Sequence, residues 1–228
     1  MNEFLFLFSI VFIFGMLLVV NKFIGEGGLI AWIAISTILA EIAVCKNVDM
    51  FGLNTNLGNV LFASNFLATD ILAEYYSEKK AKSAVYVGVF FVLFYLVVSQ
   101  IMIYYVPSQI DIADSSMKAL FGLAPRVCIT SVALVLISNI LDIKLYSLLK
   151  KKTNGKYMWL RNNVSTILCN GLENYFFSVI AFYGIYDLKT VITIATVATL
   201  IEAIVAVCDT PFLYLAGKIG KKESTENE

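Results

Sequence analysis

The sequence contains no histidine, and this absence excludes several kinds of active site. Ser-His-Asp triads, HExxH zinc sites and haem ligation by histidine all require the imidazole ring. The four cysteines are far apart in sequence and form no CxxC pair: Cys45, Cys128, Cys169 and Cys208. We therefore predict no metal site, no redox site and no cofactor, and we interpret the cysteines as small packing residues.

Charged residues are also scarce, at 15% of 228 residues, whereas 59% are hydrophobic. Soluble domains carry about 25% charged residues, and a membrane-spanning helix needs roughly 20 apolar residues. The regular spacing of apolar segments predicts an all-α, polytopic membrane helix bundle of about seven helices, at 3–22, 29–46, 57–76, 83–106, 124–149, 159–184 and 190–216. We predict a single transmembrane domain over 1–216 and a polar cytoplasmic tail over 217–228.

The basic residues are distributed unevenly between the two sides of this predicted bundle. Thirteen of the 17 lysines and arginines lie in one set of ends and loops, at about 22–28, 77–82, 144–161 and 217–228. Cytoplasmic loops carry such an excess. The distribution predicts a multi-pass protein of the bacterial inner membrane, with the N-terminus outside and the C-terminus in the cytoplasm.

Acidic residues occur where a lipid-facing helix would not tolerate them. An ionisable group at the centre of a span costs roughly 2.5–3.5 kcal/mol on insertion scales, and such groups usually face a bundle interior or a wet cavity. The predicted helices carry seven: Glu41, Asp70, Glu74, Asp142, Glu173, Glu202 and Asp209. Helical periodicity places most of them on polar stripes. We therefore expect several helices to line one acidic cavity between the midplane and the inner leaflet.

Each acid also has a purely structural interpretation. Asp142 and Glu173 could fix helix packing by hydrogen bonding, although asparagine or serine would do so at lower cost. Asp70 and Glu74 could both extend toward Lys79 and Lys82 at the inner surface. We interpret Glu41 and Asp209 as more structural or interfacial than the central Glu202.

Two of the predicted helices contain similar short sequences. Asn139-Ile-Leu-Asp142 resembles Asn170-Gly-Leu-Glu173, and an arginine precedes each, Arg126 and Arg161. Transporters often contain repeats with the binding site at their interface. The predicted substrate-binding residues are Asp70, Asn139, Asp142, Asn170, Glu173 and Glu202. The residues predicted to act in coupling or gating are Glu74, Arg126, Arg161 and Asp209.

An acidic, amide-rich cavity suits cations, protons or heterocycles with hydrogen-bond donor edges. One carboxylate can accept both the ring N–H and the exocyclic amine of a guanine-like edge. A phosphorylated ligand would need arginine or lysine in the same layer, which lacks them. We expect a small-molecule substrate and contact with membrane lipid, and we expect no nucleic acid partner. Homo-oligomerisation stays open.

Several runs of sequence resemble the queuosine precursor transporter family, also called vitamin-uptake-transporter-like. The most specific are Thr69-Asp-Ile-Leu-Ala-Glu74, Trp159-Leu-Arg-Asn-Asn-Val-Ser-Thr166 and Asp209-Thr-Pro-Phe-Leu-Tyr214, accompanied by Pro125-Arg126 and Ser138-Asn139. The resemblance implies a six-helix family core plus one N-terminal helix. It also implies import of 7-deazaguanine precursors of tRNA queuosine: 7-cyano-7-deazaguanine, 7-aminomethyl-7-deazaguanine or queuine.

The sequence departs from that family pattern at three places. Asn139-x-x-Asp142 and Asn170-x-x-Glu173 stand where the resemblance leads us to expect Gln-x-x-Asp, and Glu202 stands where it leads us to expect lysine. The extra carboxylate favours an amine-bearing precursor over the neutral nitrile.

Two other functions remain as alternatives to a proton- or cation-coupled importer. The chain could be a substrate-binding membrane subunit for a vitamin-like molecule, energised by a separate ATPase complex, since it has no Walker A motif of its own. An intramembrane enzyme ranks lower, because the sequence has no histidine and no GxSxG motif. We predict that the protein is not an enzyme.

Overall fold

The structure is a computed structural model that describes residues 1–44, 46–50, 52–122, 125–182, 184 and 187–219, without the side chains at 47, 50, 53–56, 125–128 and 181–182. Its helices are α1 Asn2–Phe23, α2 Glu26–Ala43, α3 Asn59–Tyr75, α4 Glu78–Tyr104, α5 Asp114–Phe121, α6 Pro125–Lys152, α7 Met158–Phe182 and α8 Leu188–Ile219. Two short antiparallel strands, β1 Asn47–Met50 and β2 Leu53–Asn56, lie between α2 and α3.

The predicted helical membrane bundle is confirmed, with a long helix for each predicted span. Among the described residues, five helices are long and apolar enough to cross a membrane by themselves: α1, α2, α4, residues 129–152 of α6, and α8. The helix α8 continues to Ile219, so residues 217–219 of the predicted tail are helical, and the rest of that tail lies outside the described residues.

Two elements of the fold were not predicted from the sequence. The strand pair β1–β2 follows the end of α2, and Gly52 in its connection has a φ of 74°, which glycine adopts without strain. The short amphipathic helix α5 lies in the loop after α4, and the Gln100 side chain donates a hydrogen bond to the Phe121 carbonyl oxygen at 2.7 Å. Both elements are too short to produce a clear periodic pattern.

The helix α3 is the central element of the bundle. It has 17 residues and packs against α1, α2, α4, α6 and α8. Its buried residues include Leu67, Ile71 and Leu72 as well as Asn65 and Asp70. Because protein rather than lipid surrounds α3, this helix can be short and polar, and it carries Asp70 into the middle of the bundle.

The helix α7 has two contrasting faces. The exposed face carries large apolar residues such as Leu168, Leu172 and Phe176. The opposite face contacts α6 and α8 and buries the polar residues Arg161, Asn162, Ser165, Thr166 and Asn170. A helix of this kind brings polar chemistry into the bundle while its other side remains compatible with lipid.

Small residues and a proline shape the contacts of two helices. A Cβ atom at Gly88 of α4 would come within 2.9 Å of the Ile33 side chain of α2, so glycine is needed for this close approach. Pro211 lies inside α8, where it cannot donate the backbone hydrogen bond to the carbonyl oxygen of Val207. The helix α8 is therefore weakened within its C-terminal half.

Charged residues at the helix ends make local pairs outside the spans. Lys82 pairs with Glu78 at the start of α4 and holds the pKa of the Glu78 carboxyl below its usual range. Asp187 precedes α8 and accepts hydrogen bonds from the Thr190 hydroxyl at 2.6 Å and from the Thr190 backbone amide at 3.1 Å, which lower the pKa of the Asp187 carboxyl. These contacts are ordinary capping and surface interactions.

Candidate functional site

Three aspartates with no exposed surface lie inside the bundle: Asp70 of α3, Asp142 of α6 and Asp209 of α8. We call them the Asp triad. Asp70 lies near enough to the other two for its charge to interact with both. The helix α7 supplies donors to two of them: Asn162 Nδ2 donates to Asp209 at 2.7 Å, and Thr166 Oγ1 donates weakly to Asp142 at 3.4 Å.

The Asp triad is poorly satisfied by hydrogen bonds. Among the described residues, neither carboxylate oxygen of Asp70 has a hydrogen-bond partner, and one oxygen each of Asp142 and Asp209 also lacks one. The amide oxygen of Asn162 also lacks a hydrogen-bond partner among the described residues. Buried polar atoms are nearly always paired, so this concentration of unpaired acceptors makes the Asp triad a candidate site for protons or a ligand.

An ion-pair network lies beside the triad, toward the end of the bundle that carries Lys150–Lys152, which we call the basic end. Arg161 of α7 contacts Glu74 of α3 at 2.6 Å, and Lys150 of α6 contacts the same carboxylate at 3.1 Å. The Tyr146 hydroxyl donates to Glu74 at 3.1 Å, and the Arg161 guanidinium lies 5.4 Å from the centre of the Tyr146 ring. The network ties α3, α6 and α7 together.

The three runs that carry the family resemblance converge at this basic end. Besides the Glu74–Arg161 pair, Asn163 Nδ2 donates to the Thr210 hydroxyl at 2.7 Å. The Tyr75 hydroxyl donates to the Leu213 carbonyl oxygen at 3.1 Å. These runs are therefore contact surfaces of one another: α3, α7 and α8 interlock there.

A second group of acids lies farther from the basic end, and we call Glu41, Glu173 and Glu202 the Glu cluster. The Ser131 hydroxyl donates to Glu41 at 2.7 Å. Glu173 lies within charge-interaction range of both Glu41 and Glu202. Asn174 Nδ2 donates to Glu202 at 2.7 Å. Among the described side chains, no cationic group contacts Glu173 or Glu202.

A small cavity lies between α2, α3, α4 and α6. Its polar lining consists of Thr37, Glu41, Asn65 and Asn139, and the remainder is apolar. The cavity volume is about 20 Å³, which is room for one or two water molecules. A purine-sized molecule does not fit, so binding such a ligand requires the helices to separate.

The structure divides the predicted site residues between two groups. The sequence predicts one acidic cavity, but the structure divides the acids between the Asp triad and the Glu cluster. Cys169 lies within charge-interaction range of both groups, through Asp142 and Glu173. Asn170 lies beside Glu202. Asn139 is buried, donates to the Val135 carbonyl oxygen at 2.8 Å and lines the cavity.

The residues predicted for coupling or gating have different locations. Glu74 and Arg161 form the ion-pair network, and Glu74 contacts Lys150 rather than Lys79 or Lys82. Asp209 joins the Asp triad instead of lying at an interface. The Arg126 side chain lies outside the described residues.

Sequence reasoning gave no role to several residues that the structure places in these groups. They are Tyr146, Lys150 and Asn174, whereas Ser131 and Asn162 were expected only as members of the polar stripes of their helices. Glu41 was considered only as an interfacial residue. Tyr146 follows Asp142 by one helical turn, and this spacing could have indicated a shared face.

Comparisons with known proteins agree with the resemblance stated from the sequence. A family profile described as "Putative vitamin uptake transporter" matches residues 56–216. A protein of Bacillus subtilis (strain 168), named "Probable queuosine precursor transporter", is 33% identical over 219 residues, which is 96% of this chain and 95% of the relative. No solved structure gives a significant match. The chain is therefore a multi-pass membrane protein that belongs to the vitamin uptake transporter family.

Proposed function

We propose that this protein imports 7-deazaguanine precursors of tRNA queuosine across the bacterial inner membrane, and that it is not an enzyme. The similarity to the Bacillus subtilis relative extends over nearly the whole of both chains, which supports a shared substrate class. The single observation that carries the proposal within the molecule is the pair Glu173 and Glu202 of the Glu cluster, because these carboxylates lie in range of each other and the amide side chains of Asn170 and Asn174 lie beside Glu202.

We assign substrate binding to the Glu cluster and its amides. A 7-deazaguanine presents a ring N–H and an exocyclic amine on one edge, and one carboxylate can accept both hydrogen bonds. Glu173 is central in the cluster, with Glu41 and Glu202 on either side of it. A primary amine on the precursor would interact with the carboxylate that remains. This arrangement favours 7-aminomethyl-7-deazaguanine or queuine over 7-cyano-7-deazaguanine.

We assign gating to the ion-pair network at the basic end. The excess of lysine and arginine on this side supports a cytoplasmic location for it, with the N-terminus outside. Glu74, Arg161 and Lys150 join three helices, and the volume between the helices is too small for the substrate. Breaking and re-forming these pairs would let the cytoplasmic end open after the substrate has bound.

Complementation tests the proposed substrate class. The chain is expressed in a bacterial strain that lacks both synthesis and import of the precursors, each base is supplied separately, and queuosine in tRNA is measured by mass spectrometry. We expect modification to return with at least one amine-bearing base. Failure of every base would overturn the proposed substrate class.

Purification of the same protein tests how import is energised. We expect the chain to transport after reconstitution on its own. Co-purification with an ATPase complex, together with transport only in its presence, would instead make the chain the substrate-binding subunit of a larger importer.

A further inference from the structure

The Asp triad carries more buried acid than its surroundings neutralise. Asp70, Asp142 and Asp209 have no exposed surface, and four of their six carboxylate oxygens lack a hydrogen-bond partner among the described residues. Removing a carboxylate from water costs several kcal/mol unless a partner compensates. Three such groups in charge-interaction range cannot all be ionised without compensation.

The one cationic group that faces Asp70 is already engaged. The described groups that interact with Asp70 are Asp142 of α6, Asp209 of α8, Glu74 of its own helix and Arg161 of α7. Tyr146 and Cys169 also lie in its range. Arg161 contacts Glu74 at 2.6 Å and donates to the carbonyl oxygens of Gly155 and Lys156 at 3.1 and 2.9 Å. Its charge is therefore shared mainly with Glu74, and the triad must be neutralised in another way.

A bound metal ion would require the acidic oxygens to converge. The described residues include no group of three or more acidic or cysteine side chains arranged to hold a metal ion. A proton needs only one oxygen atom, and it removes the charge that burial penalises. The arrangement therefore favours protons over metal cations as the species that the triad binds.

We propose that Asp70, Asp142 and Asp209 form a proton-carrying site that drives import, separate from the substrate-binding Glu cluster; this inference rests on the proposed function. A proton from the outside binds a carboxylate oxygen of the triad while the substrate occupies the Glu cluster. When the basic end opens, the O–H bond breaks and the proton leaves to the cytoplasm. No other bond changes in the cycle.

The two groups are connected through shared helices. Asp142 and Asn139 lie on α6, Thr166 and Glu173 on α7, and Asp209 follows Glu202 by two turns on α8. A change of protonation in the triad acts on Asn162 and Thr166 of α7, and α7 also carries Glu173. Substrate and proton sites are thus linked by the rotation of common helices rather than by direct contact.

Reconstituted vesicles separate proton coupling from substrate binding. Asp70→Asn and Asp209→Asn are compared with wild type and with Asp114→Asn, a matched control in the exposed helix α5. Two rates are measured for a radiolabelled 7-deazaguanine: uptake driven by an imposed pH gradient, and exchange of internal for external substrate without a gradient. A gradient of about one pH unit supplies about 1.36 kcal/mol per proton, or about tenfold accumulation.

We expect both triad variants to lose the gradient-driven accumulation and to retain exchange, while Asp114→Asn behaves as wild type. Accumulation that survives in both triad variants, or that follows a sodium gradient alone, would overturn the proposal. If wild type exchanges no 7-deazaguanine at all, the proposed function fails instead.

Infrared spectroscopy tests the triad without reference to the substrate. Wild type in detergent near neutral pH should show the carbonyl stretch of a protonated carboxylic acid, and Asp70→Asn should reduce it. Asp114→Asn should leave the band unchanged. A wild-type spectrum without this band, or a band that is unaffected by Asp70→Asn and Asp209→Asn, would overturn the proton site whatever the transport assays give.

Discussion

The Glu cluster and the Asp triad contain the same functional group, yet they differ in how that group is satisfied. In the Glu cluster, Glu41 and Glu202 each accept a hydrogen bond of 2.7 Å from a neutral side chain. In the triad, Asp209 accepts one such bond from Asn162, but Asp70 accepts none from the described residues, and one oxygen each of Asp142 and Asp209 also lacks a partner. A carboxylate oriented by a neutral donor is prepared to bind an amine or amide edge. A buried carboxylate without a donor is prepared to bind a proton.

The two regions also differ in how well they match the family pattern. Asp70 and Asp209 lie in runs that agree with it, and both belong to the triad. Asn170, Glu173 and Glu202 depart from it, and they lie in or beside the Glu cluster. This division is expected if related importers share the energising step, assigned to the triad, and differ in the molecule they bind, assigned to the Glu cluster.

The largest expected effect comes from removing Arg161, the cation of the ion-pair network at the basic end. Arg161→Ala leaves the partly buried Glu74 with Lys150 and the Tyr146 hydroxyl, and breaking a buried pair costs up to about 3–5 kcal/mol. We expect a clear loss of thermal stability in detergent, measured by intrinsic fluorescence. The double variant Glu74→Gln with Arg161→Ala should recover part of the loss.

Lys82→Ala is the matched control for this prediction. Its i,i+4 pair with Glu78 lies near the surface, where such pairs contribute only about 0.3–0.5 kcal/mol. Equal stability of Arg161→Ala and Lys82→Ala would show that the network does not hold the three helices together.

Truncation of one acid from each region tests whether both are needed. Asp142→Ala and Glu173→Ala should each abolish uptake while the protein remains in the membrane. A hydrogen bond to a charged group is worth about 1.5–3 kcal/mol, so substrate affinity should fall about 10- to 100-fold in Glu173→Ala. Asp142→Ala should instead leave affinity near wild type and stop accumulation.

Binding measured by isothermal calorimetry, beside uptake in vesicles, distinguishes these two outcomes. Asp114→Ala is the control for expression and membrane insertion. Full transport by both alanine variants would reject the site assignment. Equal loss of substrate affinity in both variants would show that the two regions form a single binding site.

Filling the space between α2 and α4 should affect the region near the Glu cluster alone. In Gly88→Ala the new methyl group would come within 2.9 Å of Ile33 and 3.7 Å of Thr37. Overpacking of this kind costs about 1–3 kcal/mol. We expect lower thermal stability and slower exchange of substrate, with the infrared band of the triad unchanged.

Gly171→Ala provides the comparison for this substitution. Its added Cβ would lie 3.5 Å from Thr199, which is ordinary contact, so stability and exchange should match wild type. An altered infrared band in Gly88→Ala would mean that overpacking between α2 and α4 also disturbs the Asp triad.

The smallest expected effect is a change of preference between precursors. Glu202→Lys restores the residue that the family pattern leads us to expect and removes one carboxylate from the Glu cluster. We expect the ratio of uptake of 7-aminomethyl- to 7-cyano-7-deazaguanine to fall about tenfold, equal to about 1.4 kcal/mol. Competition between the two bases in one assay measures this ratio. An unchanged ratio would show that Glu202 does not determine which precursor is preferred.

Much of the fold could be predicted from apolar periodicity and charge. The long apolar runs gave each of the seven long helices, and the polar residues of α3 indicated that lipid does not surround it. The strands β1–β2 and the helix α5 were missed because short segments outside the membrane have weak patterns.

The grouping of the acids could not be predicted in the same way. Periodicity places Asp142 and Glu173 on the inner faces of their helices, but it does not give the rotation and depth of one helix against another. These depend on packing at positions such as Gly88 and on partners from distant sequence, such as Asn162 with Asp209. The sequence therefore indicated which side chains are buried, and the structure was needed to show which of them meet.

The proline inside α8 gives the proton site a mechanical consequence. Asp209 lies two residues before Pro211, in the turn where the helix lacks one of its backbone hydrogen bonds. Beyond that turn, Asn21 and Tyr75 attach to the carbonyl oxygens of Ala216 and Leu213. A proton that binds Asp209 thus acts at the turn where α8 bends most easily. A bend at this turn would displace α1 and α3, because these two hydrogen bonds connect both helices to the end of α8.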